Sequence, residues 1–259
     1  MQISNPVRRR LEAGEPALGI GVRLARTVEI AKAMQVSGYD WLFIDLEHGP
    51  LSLDTASQLS LAALDAGIAP IVRVPQAEYA MATRALDNGA LGIIMPHVNT
   101  AAEAREIVDK LKYPPLGHRS LGGSTPQLGY KTALTDATAV LNAALLTVVM
   151  LETPEAIANA DEIASVEGVD VLLIGTNDLC AEMGIAGEFG HERVAQAYDA
   201  VVAACGRHGK WPGSGGITDV IQLRQRIASG ARFVLAGADF PLLLAAATHR
   251  SAALRAVGP

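Results

Sequence analysis

Trp41-Leu42-Phe43-Ile44-Asp45-Leu46-Glu47-His48-Gly49-Pro50 is an apolar run with strand character that ends in two carboxylates and an imidazole, then breaks at Gly-Pro. Ionisable groups at the tip of a buried strand are costly to desolvate, so packing alone rarely puts three of them within four residues. A lone Asp there would read more simply as a cap for the next helix. Asp45, Glu47 and His48 together point to a site at a strand end.

Short β-rich runs alternate with helical segments outward from this stretch in both directions. Strands are expected over Ala17–Val22, Trp41–Asp45, Pro70–Val74, Leu91–Met95, Leu145–Leu151, Val169–Ile174, Lys210–Gly213 and Arg232–Ala236. Between most of them lie Ala-, Leu- and Glu-rich segments with 3.6-residue periodicity, such as Leu53–Ala66, Ala101–Leu111 and Arg193–His208. Gly67, Gly89, Gly168, Gly209 and Gly230 each follow a helix and precede a strand, where a C-cap glycine belongs. Eight strands separated by helices indicate one (β/α)8 TIM barrel spanning residues 1–259 as a single domain. A doubly wound open sheet is the alternative, and eight evenly spaced units favour closure. Tyr113–Leu134, rich in Pro and Gly, is too long for an ordinary connection and reads as a functional loop or an oligomer contact.

The bulk composition agrees. The chain has 259 residues, half of them hydrophobic and only 19% charged, with mean hydropathy +0.25, as for strands buried on both faces. A net charge of −6 argues against nucleic acid or an anionic membrane as partner. Arg8-Arg9-Arg10 reads as the solvated face of a first helix, and no apolar stretch is long enough to span a bilayer. Cys180 and Cys205 lack metal-type spacing and suit a reducing, cytoplasmic setting.

Barrel enzymes collect their chemistry at the C-terminal ends of the strands. There this chain places Asp45, Glu47 and His48 after strand two, Arg73 at the end of strand three, and Pro96-His97 after strand four. Glu152 follows strand five and Asp178 follows strand six. Glu152 and Asp178 are carboxylates from neighbouring strand ends, and an all-oxygen pair suits a hard divalent ion, Mg²⁺ or Mn²⁺, that keeps several waters. Asp178 also has a claim as a helix cap; Glu152 has less, because Thr153-Pro154-Glu155 supplies the cap pattern itself. Arg73 needs an anion, either a structural acid or a ligand carboxylate. Gly213-Ser214-Gly215-Gly216 after strand seven either cradles a phosphate or leaves room for substrate. Lys32, Lys110 and Lys112 read as helical, Lys131 as part of the long loop, and Lys210 as lying at the wrong rim. No lysine is placed for a Schiff base, so a keto acid handled here calls for a metal as electron sink.

Several stretches together resemble the HpcH/HpaI aldolase family, the metal-dependent class II pyruvate aldolases that include 4-hydroxy-2-oxoheptanedioate and 2-dehydro-3-deoxyglucarate aldolases. They are Phe43–Pro50, Val72-Arg73-Val74-Pro75, Leu86-Asp87-Asn88-Gly89-Ala90, Gly92–Thr100, Tyr113–Arg119, Leu151–Ala156 and Gly168–Leu179. The resemblance covers nearly the whole chain in order and implies a barrel of the phosphoenolpyruvate/pyruvate type. It implies a divalent ion, Mg²⁺ or Mn²⁺ with Co²⁺ as a further option, on Glu152 and Asp178, chelated by the carboxylate and keto oxygen of a 2-oxo acid. Arg73 would neutralise the developing enolate, and His48, oriented by Asp45, would act as base. Main-chain N–H groups around Gly175 and Thr176 would hold the substrate carboxylate.

The resemblance also makes Asp87 a candidate partner for His48. Because Asp87 ends a helix at the opposite rim, a neighbouring subunit would have to present it, which requires a homo-oligomer such as a trimer or hexamer. Two departures stand out: Met150 occupies a position where many members carry Gln, and Gly175-Thr176-Asn177-Asp178 replaces Gly-Pro-x-Asp. The expected activity is reversible cleavage of 4-hydroxy-2-oxo acids to pyruvate and an aldehyde. Cleavage of an acyl-CoA ester, as in citrate and malyl-CoA lyases, and a non-catalytic oxo-acid sensor are the alternatives. Arg23, Arg26 and Arg119 give the first of these a thin basic patch, and Met150 motivates the second. Choice of aldehyde is expected to rest on Trp211, Pro212, Ser214 and Ala238, with Asp239 nearby.

Overall fold

In a computed structural model, which describes residues 3–131 and 134–256, eight parallel strands close into a barrel in sequential order. The strands are β1 Ala17–Val22, β2 Trp41–Asp45, β3 Ala69–Arg73, β4 Gly92–Met95, β5 Leu146–Leu151, β6 Val171–Gly175, β7 Trp211–Gly215 and β8 Phe233–Ala238. The helices are α1 Pro6–Glu12, α2 Glu29–Val36, α3 Leu53–Ala66, α4 Tyr79–Asp87, α5 Ala101–Leu111, α6 Leu134–Ala144, α7 Pro154–Ala158 and α8 Ala160–Ala164. They continue with α9 Thr176–Glu182, α10 Glu192–His208, α11 Val220–Ala228 and α12 Asp239–Arg255. The expected barrel is therefore present, and the open sheet is not.

Period-two alternation decides what each strand offers the interior. On β2, Trp41, Phe43 and Asp45 share the inward face, while Leu42 and Ile44 lie fully buried beneath the helices. Trp41 stacks on Phe233 with ring centroids 4.0 Å apart, and its indole N–H donates to the Ala17 carbonyl. Gly19 is what admits this indole: a Cβ there would lie 2.1 Å from the ring. These rings fill the lower barrel and leave the upper end open.

The N-terminal rim is held by aspartates in the loops before β2 and β6. Asp40 accepts from Arg10 and from the Leu18 N–H. Asp170 pairs with Arg8 at 2.8 Å and accepts from the Thr147 N–H. Lys112, which sequence placed on a helix, is the residue just past α5; it lies buried at this rim and donates to the Leu145 carbonyl. Burial pushes its pKa down, against the pull of Asp170. No lysine of the described residues lines the cavity at the other end.

Three expectations shift. β6 and β8 start and end one or two residues later than expected, and β7 runs on to Gly215, in register with Gly175 of β6. Ser214 and Gly215, expected to follow the strand, thus belong to it, paired with Ile174 and Gly175 of β6; at Gly213 a Cβ would meet the neighbouring-strand Leu173 at 3.0 Å. Only Gly216 remains beyond the strand, with φ +88°. The long loop contains a short 3₁₀ turn, Pro126–Leu128, and is fastened where the Tyr113 N–H donates to Asn142 and Asn142 donates back to the Tyr113 carbonyl. Residues 132 and 133 of that loop lie outside the described residues.

α12 has no buried residue and exposes Phe240, Leu242, Leu243, Leu244 and Leu254. No helix of the described residues is long and apolar enough to cross a membrane.

Trp41→Ala removes the lower-barrel stack and is expected to cost about 3–5 kcal/mol, the range for deleting a fully buried large aromatic. Chemical denaturation should show a correspondingly lowered midpoint; a change within about 0.5 kcal/mol would contradict the packing described.

Candidate active site

At the open end, the tips of β2 and β3 are joined by one ion pair. Arg73 donates to both oxygens of Asp45, from Nε at 3.0 Å and from Nη2 at 2.8 Å, and both residues are nearly inaccessible to solvent. Register explains the pairing, because Asp45 and Arg73 are direct neighbours across the two strands. Arg73 also lies over the Phe43 ring, 5.0 Å from its centroid. Burial alone would raise the Asp45 pKa. The Arg73 guanidinium and the Glu47 and His48 N–H groups outweigh it and hold the carboxyl below its usual value. Of the two partners left open for Arg73, the structural acid is the one found.

From Arg73 a line of charged groups crosses the rim. Its Nη1 stands 2.9 Å from Glu47 Oε2, out of line for a hydrogen bond. Glu47 Oε1 is 3.4 Å from His97 Nε2, and His97 Nδ1 is 3.1 Å from Glu152 Oε2. The His97 N–H donates to the same Glu152 oxygen at 2.7 Å. His97 adopts φ +55°, which only a few per cent of non-glycine residues do, and this conformation turns both its N–H and its ring toward Glu152.

Glu152 is 1% exposed. Thr153 caps α7 through the Ala156 N–H, with Pro154 at the first helical position, so Glu152 is spared that role as its sequence context implied. Its carboxylate fills the space where a side chain on Gly175 would be: a Cβ there would lie 2.7 Å from Oε1. Burial, with repulsion from Asp178, pushes the Glu152 pKa up to about 7, even though His97 acts in the opposite direction. Asp178 is the third residue of α9 and an exposed cavity-lining group, not the helix cap.

A buried carboxylate facing a second, cavity-lining one is a donor set short of a cation. The described residues contain no cluster of three or more His, Cys, Asp or Glu side chains arranged to hold a metal. A hard ion that retains waters and takes ligand oxygens needs only such a pair, so the residues fit Mg²⁺ or Mn²⁺ and do not fit a structural zinc.

A cavity of about 260 Å³ opens beside this pair. Asp45, His48, Arg73, Met150, Gly175, Thr176 and Asp178 line it, opposite Arg23, Gly216, Thr218 and Ala238. The structure thus brings together the sequence-expected Asp45, His48, Arg73, Gly175, Thr176 and Asp178, with Glu152 just beneath. His48 differs in its contacts. Its ring is more than half exposed and lies 3.8 Å from Glu47, while Asp45 reaches His48 only through the main-chain N–H. Asp45 therefore orients the His48 backbone, and Arg73 occupies the carboxylate that was expected to face the imidazole.

Ser214 and Thr176 turn their side chains away. The Ser214 hydroxyl bonds Tyr198 Oη at 2.8 Å, and Tyr198 bonds the Thr176 hydroxyl at 2.8 Å, all fully buried behind the strands. Ser214 is accordingly a strut, and Thr176 has only its main chain to offer the cavity. Trp211 and Pro212 lie low on β7, Trp211 beneath the Arg8 guanidinium, so of the four expected specificity residues only Ala238 lines the cavity. Ile217 and Thr218 stand there instead, because β7 continues past the expected end.

Asp87 closes α4 at the far rim, as expected, and its Oδ1 accepts from Arg119 at 2.6 Å. Arg119 is itself buried, stacked 4.7 Å from the Tyr113 ring centroid. Sequence reasoning placed Glu47 and His97 on this rim without assigning them these contacts. The signal for His97 was its place directly after β4, which only the strand register could turn into a contact with Glu152.

A family model described as HpcH/HpaI aldolase/citrate lyase matches residues 24–246. The 4-hydroxy-4-methyl-2-oxoglutarate aldolase tasA of Hapsidospora irregularis is 42% identical over 98% of this chain and 96% of that protein. The 2-keto-3-deoxy-L-rhamnonate aldolase of Escherichia coli is 34% identical over 96% of this chain and 93% of that protein. Among solved structures, an HpcH/HpaI aldolase from Desulfitobacterium hafniense superposes with TM-score 0.93 at 28% identity, covering 98% of both chains.

The upward shift of Glu152 has a checkable sign. Between its ordinary value of 4.5 and about 7, protonation favours the folded chain, and that contribution is lost as pH rises through 7. In metal-free protein at pH 8, Glu152→Gln should therefore unfold at the same temperature as the parent or higher, and addition of Mn²⁺ should stabilise only the parent. A markedly lower midpoint for the metal-free variant would show that the carboxylate is a stabilising structural group.

Proposed function

The chain belongs to the HpcH/HpaI aldolase/citrate lyase family, and on that premise we propose that it reversibly cleaves 4-hydroxy-2-oxo acids to pyruvate and an aldehyde or ketone. The observation that carries this reading is the buried Glu152 carboxylate packed against Gly175 and coupled to Asp178, directly behind a cavity that Gly175, Asp178, Arg73 and His48 line. The aldolase names of the relatives from H. irregularis and E. coli support it. One barrel domain suffices for this chemistry.

Glu152 and Asp178 are the residues that would hold a divalent metal, Mg²⁺, Mn²⁺ or Co²⁺. When bound, such an ion supplies Lewis-acid polarisation of the 2-oxo group. The rest falls to the chain. Main-chain N–H groups at Gly175 and Thr176, where α9 starts without a side-chain cap, hold the carboxylate beside the 2-oxo group. His48 accepts the proton of the 4-hydroxyl, the C3–C4 bond breaks, and the carbonyl fragment departs. The electron pair of the broken C3–C4 bond stays with C3 as the pyruvate enolate, which is then protonated at C3. Arg73, pinned by Asp45, keeps a fixed positive charge beside the cavity as the enolate charge develops. Met150 lines the cavity where it can donate no hydrogen bond, so orientation of the keto oxygen rests on the remaining groups.

His48 is exposed and, among the described residues of its own chain, has no carboxylate within hydrogen-bond reach, Glu47 standing 3.8 Å away. Asp87 lies at the opposite rim, already oriented by Arg119. We assign Asp87 to the His48 of a second copy, which makes the working form a homo-oligomer, trimeric or hexameric. α12, which exposes Phe240, Leu242, Leu243 and Leu244 in its first two turns and Leu254 near its end, supports such an assembly. A cytoplasmic setting fits the two free, buried thiols, which burial pushes upward in pKa, Cys205 to about 12.

Two measurements test these readings. Chelation is expected to abolish pyruvate release from 4-hydroxy-2-oxo acids, and Mg²⁺ or Mn²⁺ to restore it; full turnover without metal would sink the metal assignment. Co-expressing His48→Ala with Asp87→Asn chains should give mixed oligomers with a clear fraction of parental activity, since some interfaces then join an intact His48 to an intact Asp87. No recovery in demonstrably mixed oligomers would return Asp87 to a structural role.

A further inference from the structure

Arg23 follows β1 directly and lines the cavity, its side chain half exposed. Its one side-chain hydrogen bond among the described residues runs from Nη2 to the His48 carbonyl at 3.1 Å. Its one ion-pair contact among them is Asp45, 4.0 Å from Nε and beyond hydrogen-bond reach. That carboxylate is already committed to both arms of Arg73. A guanidinium carries five N–H donors in a rigid fork, so most of the Arg23 fork is unmatched.

Its place in the cavity wall is fixed by the main chain. The Asp239 carboxylate accepts from three consecutive N–H groups, those of Arg23, Leu24 and Ala25, at distances from 2.7 to 3.2 Å. The neighbouring wall is kept small by Gly21, Gly237 and Ala238, which leaves room beside the guanidinium. The other cation of the cavity wall, Arg73, is committed to Asp45 and stands 2.9 Å from Glu47, while Glu152 and Asp178 leave the far side acidic. A cation with most of its donors unmatched at the mouth of such a cavity favours an anion there.

We propose that Arg23 is a specificity-determining residue that binds a carboxylate on the departing carbonyl fragment. The preferred substrates are then dianionic 4-hydroxy-2-oxo acids whose aldehyde or ketone product carries its own carboxylate. The proposal rests on the aldolase reading above: the carboxylate beside the 2-oxo group takes the Gly175–Thr176 end, and Arg23 takes the second. A planar fork meets a carboxylate through two parallel hydrogen bonds, which gives orientation as well as charge.

The test compares two substrates that share the pyruvate half. One is 4-hydroxy-4-methyl-2-oxoglutarate, and the other is 4-hydroxy-4-methyl-2-oxopentanoate, in which a methyl group replaces the second carboxylate. In Arg23→Met the ratio of kcat/KM for the first over the second should fall about 10- to 100-fold, the range for losing a charge-assisted hydrogen bond. Arg23→Lys should recover part of the ratio, and added salt should lower it in the parent. If Arg23 only steadies His48 through its carbonyl, both substrates lose equally; an unchanged ratio in Arg23→Met overturns the proposal. Exchange of the pyruvate C3 protons with deuterium, followed in the parent enzyme, separates the two levels. Its absence removes the aldolase reading itself. Exchange without cleavage of the dicarboxylate, or with an indifferent ratio, removes only the role of Arg23.

Discussion

The bidentate pair between Arg73 and Asp45 is the constraint on which the upper barrel depends. A buried cation or a buried carboxylate alone is expensive, and breaking such a pair by removing one partner typically costs about 3–5 kcal/mol. Here the pair is formed between registered neighbours on adjacent strands. The same Asp45 oxygen accepts the Glu47 and His48 N–H groups, so the turn after β2 takes its shape from the pair. The guanidinium that remains is turned toward the cavity with its direction settled. The arginine that lines the cavity is also the anchor for the loop that carries His48.

A gradient of charge runs from that anchor. Arg73, Glu47, His97 and Glu152 follow one another across the rim, a guanidinium and an imidazole interleaved with two carboxylates, each within 4 Å of the next. The last member is the least satisfied, because burial and Asp178 both oppose its ionisation. The rim is therefore electrically complete on the β2–β3 side and incomplete on the β5–β6 side. That asymmetry sets the pair Glu152 and Asp178 apart from an ordinary network of surface ions.

Most of the architecture was legible because it rests on local chemistry. Gly67 and Gly209 end their helices at φ +78° and +63°, the conformation that made them recognisable as caps. α3 and α5 match the periodic segments residue for residue. What could not be read was the direction of side chains near strand ends. Ser214 sits among glycines that look like a loop, and only pairing with β6 and β8 reveals it as strand, with its hydroxyl on Tyr198. His97 needed a left-handed backbone to reach Glu152, and nothing in Met95-Pro96-His97 announces one. Asp45 was read as a partner for the imidazole, yet the guanidinium one strand away is the stronger competitor for a buried carboxylate.

Gly175 has a bearing on how this barrel can diverge. A methyl group there would meet Glu152 at 2.6 Å and Met150 at 2.9 Å, so the position tolerates no side chain while Glu152 keeps its place. Met150 is different: its contact is the free end of a flexible thioether, which can swing aside or be exchanged for another unbranched chain. Inherited change at the cavity floor is thus channelled through residue 150, with 175 and 152 frozen as a mutually dependent pair. Lineages descended from this barrel can alter what they grip long before they alter how they break it.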